Sequence, residues 1–217
     1  MTTPSALAPA IPARLRRLES PIGRIELTGD GEAIVSLSIE RAGHLPFETQ
    51  PEHSDEILDE AARQLTQYFA GDRLTFDLPL RLPGTEFQHA VWAGLAALPF
   101  GEITSYGSLG RLTGRASAGR AVGGAVGANP IPIIVPCHRV LASNNKITGY
   151  SAGNGISTKK WLLEHEGVAG FIRSPELDVP EHDLPHLDLP HLDAPKALNP
   201  SSERHNSTGL PVVALMA

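Results

Sequence analysis

The sequence predicts a small α/β domain followed by a mainly α-helical domain that carries a helix-turn-helix. Three observations point there. Apolar residues alternate with period two in stretches before residue 83. Apolar residues recur at helical spacing between residues 84 and 167. The pair Pro83-Gly84 separates the two regions with a strong chain break.

The elements follow in order. Residues 1–14 are rich in Pro, Ala and Thr and read as a flexible arm. Arg24-Ile25-Glu26-Leu27 leads into Asp30-Gly31 and then Ala33 to Ile39, with Val35, Leu37 and Ile39 expected on one face. An Asp-Gly turn between alternating runs predicts a hairpin. Ser54 is the expected cap of a helix bearing Ile57, Leu58, Ala61, Leu65 and Phe69 and ending at Gly71. Leu74, Phe76, Leu78 and Leu80 alternate again, and Pro79 and Pro83 mark that run as an edge strand or an exit. Residues 15–83 thus make the α/β domain, with no catalytic constellation of their own.

Residues 84–170 make the second domain. Thr85-Glu86-Phe87-Gln88 is a capping box that opens a helix with Phe87, Val91, Leu95 and Leu98 inward, ending before Pro99. A second helix is expected from Ser105 to Thr113 with Leu109 and Leu112 buried, and a third from Ala118 to Ala128 capped by Ser117. Helix, short Gly-containing turn, helix is the helix-turn-helix pattern. The apolar run Ile131 to Val135 precedes Pro136-Cys137-His138-Arg139-Val140, and a last helix is expected from Ser157 to Glu166. Beyond about Phe171 a proline-rich repeat of period five, Leu-Pro-His-Leu-Asp, forbids helix and interior strand, so 171–217 reads as a disordered tail.

Charge locates the chemistry. The formal net charge is −6. Residues 1–83 hold 8 Lys/Arg against 13 Asp/Glu, residues 84–167 hold 7 against 4, and residues 168–217 hold 3 against 7. Only the middle region is basic, a modest footprint that implies few phosphate contacts. No stretch approaches the roughly 18 apolar residues of a spanning helix, and Met1 to Ser20 holds no signal-like apolar run. The expectation is a soluble cytoplasmic protein without a membrane partner. A single cysteine excludes an internal disulfide and a multi-thiolate zinc site.

That cysteine, Cys137, is followed directly by His138 and Arg139. A free thiol near pKa 8.5 is only about 3% thiolate at neutral pH, so a nucleophilic cysteine needs a base or a cation beside it. Neighbours on an extended strand point oppositely, so contact between Cys137 and His138 requires a turn or a bridging water. Glu164 or Glu166 on the last helix is a candidate to orient the imidazole. Arg139 reads as a structural ion-pair partner.

Pro136-Cys137-His138-Arg139-Val140 resembles the acceptor motif of the O6-alkylguanine-DNA alkyltransferases. The resemblance spans about Gly84 to Gly167 and includes Gly84-Thr85-Glu86-Phe87-Gln88, Val91-Trp92, Tyr106-Gly107, Arg120-Ala121-Val122-Gly123, Ala128-Asn129-Pro130, Gly149-Tyr150-Ser151 and Trp161-Leu162-Leu163 before His165-Glu166-Gly167. It implies a ribonuclease-H-like first domain and a winged-helix-like second one. It also implies irreversible, single-turnover transfer of an alkyl group from O6-alkylguanine, and from O4-alkylthymine, to Cys137. His138 would take the thiol proton through a water, Glu166 would orient His138, and Asn129 would organise the active-site turn. Tyr106 would rotate the target phosphate and protonate the departing base. Arg120 would enter the stack in place of the flipped nucleotide, with Ala121, Gly123 and Ser117 also on the DNA. Val140, Tyr150 and Ser151 would form the pocket. The implied partner is double-stranded DNA carrying alkylated guanine, docked through its minor groove on a monomer, with no cofactor and no metal. The implied location is the cytoplasm, on the nucleoid, or the nucleus in a eukaryote.

Glycines at 123, 124 and 127 in the third helix each disfavour helix by about 1 kcal/mol, which is tolerable where a helix backbone must press against DNA. A small-residue face for tight helix packing is the competing explanation. Two rival functions remain. A lesion-binding module without chemistry is opposed by Cys137. A multiple-turnover Cys–His hydrolase would need an oxyanion hole, and a thioether resists hydrolysis.

Overall fold

The computed structural model describes residues 12–114 and 119–168, together with the backbone of 215–216. Three antiparallel strands, β1 (Arg14–Leu18), β2 (Ile25–Gly29) and β3 (Ile34–Ile39), open the chain in a meander. The Asp30-Gly31 turn lies between β2 and β3 as expected; Gly31 adopts φ +98° and the Asp30 carboxylate accepts from the Glu32 and Ala33 amides. Val35 does not share the inward face with Leu37 and Ile39. Thr28 pairs with Ser36 while Gly29 pairs with Ile34, so Val35 is the extra residue of a β-bulge. The bulge shifts the alternation by one and buries Ile34 instead.

Helix α1 (Glu56–Ala70) packs on β1 and β2 and buries Leu58, Ala61, Leu65 and Tyr68. Its cap is Asp55, not Ser54: the Asp55 carboxylate accepts from the Leu58 amide, and the chain leaves through Gly71 at φ +82°. Only Leu80–Arg81 of the next alternating run forms a strand, β4, parallel to β3. The rest stays irregular because Pro79 has no N–H and because the Gln64 side chain bonds both the amide and the carbonyl of Asp77, replacing a strand neighbour. Leu74 is accordingly exposed. A strand Leu215–Met216, β7, the last among the described residues, pairs in parallel with β4 and closes the sheet order β1-β2-β3-β4-β7. The expected disordered tail thus contributes two sheet residues, and its other positions lie outside the described residues. The arm residues 1–11 lie outside them too.

The second half is helical. Helix α2 (Glu86–Ala96) opens with the expected reciprocal capping box between Thr85 and Gln88. A Cβ at Gly84 would stand 2.6 Å from the Trp92 ring, so the linker passes directly over that buried indole. Helix α3 (Tyr106–Leu112) is capped by Ser105, and helix α4 (Gly119–Gly127) follows. Leu112, expected to be buried, is 53% exposed: the helix ends there, and Leu109 is its fully buried leucine. Two short parallel strands, β5 (Thr104–Ser105) and β6 (Val140–Leu141), tie the helices to the cysteine turn. Helix α5 (Ile156–His165) closes the domain. Trp92 is fully buried and its indole N–H donates to the Ala125 carbonyl at 2.9 Å, joining α2 to α4. Buried residues of both halves form one continuous apolar cluster that reaches Cys137.

Candidate active site

The cysteine turn is built by its backbone. Asn129 holds both ends of the loop before it: Oδ1 accepts from the Ile131 amide at 3.0 Å and Nδ2 donates to the Val135 carbonyl at 2.7 Å. Inside that bracket Ile133 adopts φ +74°, a conformation that disfavours β-branched residues and persists because Ile131, Ile133 and Val135 are buried. Pro136 (φ −81°, ψ 64°) then centres an inverse γ-turn in which the Cys137 amide donates to Val135 O at 2.8 Å. Cys137–Arg139 is one turn of 3-10 helix, not a strand. At three residues per turn the successive side chains fan out. Cys137 enters a pocket, while His138 and Arg139 both reach Glu166.

Glu166 is the electrostatic centre. Its Oε1 accepts from His138 Nε2 at 2.9 Å, Arg139 Nη2 at 2.9 Å and the Tyr68 hydroxyl at 2.8 Å. Its Oε2 accepts from Arg139 Nε at 2.7 Å and, more weakly, from the Gly101 amide at 3.4 Å. Gly101 has φ +78°, and a Cβ there would meet the Glu166 carbonyl at 2.9 Å, so only glycine brings that amide in. Burial opposes the carboxylate's charge, yet the hydrogen bonds from His138 and Arg139 and the charge of the Arg139 guanidinium prevail and hold Glu166 well below the usual carboxylate range. Burial pushes the His138 imidazole down, and Glu166 only partly offsets it. The balance favours the neutral imidazole. Its Nε2 carries the proton that Glu166 accepts, which leaves Nδ1, buried and without a partner among the described residues, as the basic nitrogen. Glu164, the other carboxylate considered, faces solvent and pairs with Lys160.

Cys137 is 4% exposed and forms part of a pocket of about 300 Å³ lined by Tyr106, Gly123, Val126, Gly127, Gly149, Tyr150 and Ser151. Two larger cavities, of about 520 and 740 Å³, do not include the thiol. Burial raises the thiol pKa; the Asn129 side chain, the Lys159 ammonium and the Tyr150 hydroxyl act in the opposite direction without overcoming it. The Tyr150 hydroxyl is buried beside the thiol with no nitrogen or oxygen partner among the described residues, and it stays a neutral phenol. Ser151 lines the pocket and turns its hydroxyl to Gly127 O at 3.1 Å. Val140 does not line the pocket: it is fully buried in β6, and its carbonyl accepts from Lys159 Nζ at 2.6 Å.

Arg120 and Ala121 are exposed on the first turn of α4, while Gly123 is half-buried and borders the Tyr106 ring. Ser117 lies outside the described residues. Tight helix packing does not explain Gly124 and Gly127: a Cβ at either would meet nothing within 4 Å, and both are exposed.

Two residues of the site escaped the sequence reading. Lys159 is buried on α5, donates to the carbonyls of Val140 and Thr148 and has its pKa pushed down to about 8 by burial. Its signal was present: Lys159, Leu162, Leu163 and Glu166 share one face at helical spacing, and a lysine on an apolar face needs buried acceptors. Tyr68 comes from the first domain. Its place on the apolar face of α1 was legible, but nothing in the sequence joined it to Glu166, 98 positions away.

Comparison with known proteins identifies the family. Residues 14–82 match the family model described as 6-O-methylguanine DNA methyltransferase, ribonuclease-like domain, and residues 86–168 match that described as 6-O-methylguanine DNA methyltransferase, DNA binding domain. A methylated-DNA–protein-cysteine methyltransferase of Mycobacterium tuberculosis strain H37Rv is 44% identical over 151 residues, covering 70% of this chain and 90% of that protein. One of Methanosarcina acetivorans is also 44% identical over 151 residues, covering 69% and 95%. The crystal structure of Mycobacterium tuberculosis OGT in complex with DNA superposes with a TM-score of 0.63 at 42% identity, covering 71% of this chain and 92% of that one. Two matched domains in order, together with identity of this extent, mean that the chain belongs to the 6-O-methylguanine DNA methyltransferase family.

Proposed function

We propose that this protein repairs DNA by direct damage reversal, moving the alkyl group of O6-alkylguanine onto Cys137 in a single, irreversible turnover. The observation that carries the reading is a buried thiol in a small pocket, on one 3-10 turn with a histidine held by a buried carboxylate.

The steps follow from the residues. The thiol proton passes through a water to His138 Nδ1, the basic nitrogen, and Glu166 stabilises the imidazolium that forms. Cys137 Sγ attacks the alkyl carbon; the S–C bond forms, the C–O6 bond breaks, and its electron pair leaves with the base. Tyr106, bordering the pocket, gives the leaving guanine a proton at N3, and the thiol proton replaces it, so the sum is guanine plus S-alkylcysteine. Atoms and electrons balance without a cofactor. A thioether has no ready hydrolysis, so each molecule acts once.

The alkylated base must leave the duplex to reach this pocket, which costs a few kcal/mol and less for a poorly paired lesion. In this reading α3 and α4 act as a helix-turn-helix in a winged-helix-like domain and dock in the minor groove of double-stranded DNA, while residues 15–83 form a ribonuclease-H-like domain. The open face of Gly124 and Gly127 lets the helix backbone approach, exposed Arg120 fills the vacated stack, and Ala121, Gly123 and Ser117 border the strand. Asn129 fixes the turn, Tyr150 and the Ser151 amide meet the base, and O4-alkylthymine is a second substrate. The protein acts as a monomer in the cytoplasm or on the nucleoid, and in the nucleus in a eukaryote. No helix among the described residues is long and apolar enough to cross a membrane.

Duplex DNA with a radiolabelled O6-methylguanine tests the reading. Label should pass to the wild-type protein one to one, and Cys137→Ala should bind the same duplex and take up none. Label on Cys137→Ala protein, or repeated turnover by the wild type, would overturn it.

A further inference from the structure

We propose that Tyr68, contributed by the first domain, is a positioning residue for alkyl transfer: its hydroxyl fixes Glu166 Oε1 beside His138 and competes with His138 for that oxygen's charge. The inference rests on the transfer reading above and adds a residue of the other domain to it.

The geometry supports a specific role for the hydroxyl. The Tyr68 ring is fully buried among Phe69, Phe76, Phe100 and His165, at centroid distances of 5.3, 5.5, 6.1 and 5.0 Å. A phenylalanine would fill that aromatic site equally well, so packing does not account for the oxygen. The oxygen reaches Glu166 Oε1 at 2.8 Å, the same atom that His138 Nε2 holds at 2.9 Å. The ring is fixed from behind, because the Tyr68 carbonyl accepts from His165 Nε2 at 2.8 Å and from the Gly71 amide at 3.0 Å. Burial and the adjacent carboxylate keep the phenol protonated, so it is a permanent neutral donor.

The consequence is electrostatic. A carboxylate oxygen that already accepts from a phenol and a guanidinium has less charge to offer an imidazolium. Tyr68 therefore makes His138 a weaker base than the His138–Glu166 pair alone would make it, while holding the carboxylate in line. The ionisable groups acting on His138 are Glu166, Arg139 and Lys159, and of these Glu166 is the one that Tyr68 touches. His165 lies behind Tyr68, on its backbone carbonyl.

The test compares the full-length wild type with Tyr68→Phe and with 3-fluorotyrosine placed at position 68. Fluorine makes the phenol a stronger donor without changing the packing. Single-turnover transfer from an O6-methylguanine duplex is followed from pH 5 to 9, and the labelled His138 imidazole is titrated by NMR. Tyr68→Phe should move the acid limb of the rate and the His138 titration upward by roughly half a unit to one unit, the scale of one hydrogen bond shared at a buried carboxylate. Fluorotyrosine should move both downward. Unmoved midpoints, with only a uniform change in rate or melting temperature, would overturn the inference, and fluorotyrosine decides if Tyr68→Phe fails to fold. A wild type that transfers nothing would overturn the transfer reading instead, which the same rate series reveals at once.

Discussion

Glu166→Gln should damage stability and reaction together. The carboxylate is 4% exposed and accepts five donors, three on Oε1 and two on Oε2. An amide keeps one acceptor oxygen and turns N–H groups toward donors that were bonded to the other. Arg139, 5% exposed, cannot shed its charge and loses its counter-ion. Removing one partner of a buried pair costs about 3–5 kcal/mol. At about 2–4 °C per kcal/mol for a chain of this size, the melting temperature should fall by roughly 6–20 °C. The transition state also loses the anion facing the imidazolium. At a charge separation of about 4 Å and an effective dielectric constant of about 20, that attraction is about 4 kcal/mol. Arg139 shares the same carboxylate, so about 3–4 kcal/mol of it reaches the barrier, a slowing of roughly 10²–10³-fold. Urea unfolding and single-turnover transfer, the latter at a temperature where the variant is fully folded, measure the two effects separately. A variant within about 1 kcal/mol of wild type that transfers at more than a tenth of its rate would refute the reasoning.

Three further outcomes follow from the geometry. Gly124→Ala adds a methyl group that meets nothing within 4 Å, so the free protein should gain up to about 1 kcal/mol in urea unfolding while duplex binding weakens several-fold; unchanged binding would contradict the docking of α4. Arg120→Ala, on an exposed first turn, should leave stability within about 0.5 kcal/mol and slow duplex repair far more than reaction with free O6-methylguanine base, and equal losses on both substrates would remove the finger role. Acid should destabilise the fold through two groups whose folded pKa values are depressed: the unfolded chain binds more protons, so stability rises with pH. The His138 contribution is complete above its ordinary 6.5 and is lost below it, and that of Glu166 is complete above 4.5 and is lost below that. A urea midpoint that stays flat from pH 7.5 to 5 would contradict the His138 assignment, and one that stays flat from pH 5 to 2.5 would contradict that of Glu166.

The parts of the fold that local chemistry decides were legible. The Thr85–Gln88 capping box, the Asp30-Gly31 turn and the helical spacing of α2 and α5 need only neighbours within a few residues, and these elements formed where expected. The failures were decided at a distance. The bulge at Val35 follows from pairing with β2, and the irregular path before β4 follows from Gln64, 13 residues away from Asp77. The pairing of Cys137 with a histidine, and of that histidine with a carboxylate near the end of α5, could be proposed from residue types and family resemblance. That Arg139 would complete the same carboxylate, and that Tyr68 would reach it across the domain boundary, depends on packing that no spacing in the chain encodes. Lys159 was the one omission with a local signal, a cation on an apolar helical face.

Peptide mass spectrometry is the most direct test of the central claim. The full-length protein is incubated with duplex DNA carrying O6-methylguanine and digested, and the Cys137 peptide is weighed. One methylene mass on that peptide, stoichiometric with the lesion and stable to excess thiol, is the predicted result. Lesion removed with the Cys137 peptide unmodified, or lesion bound and left intact, would contradict Cys137 as the acceptor.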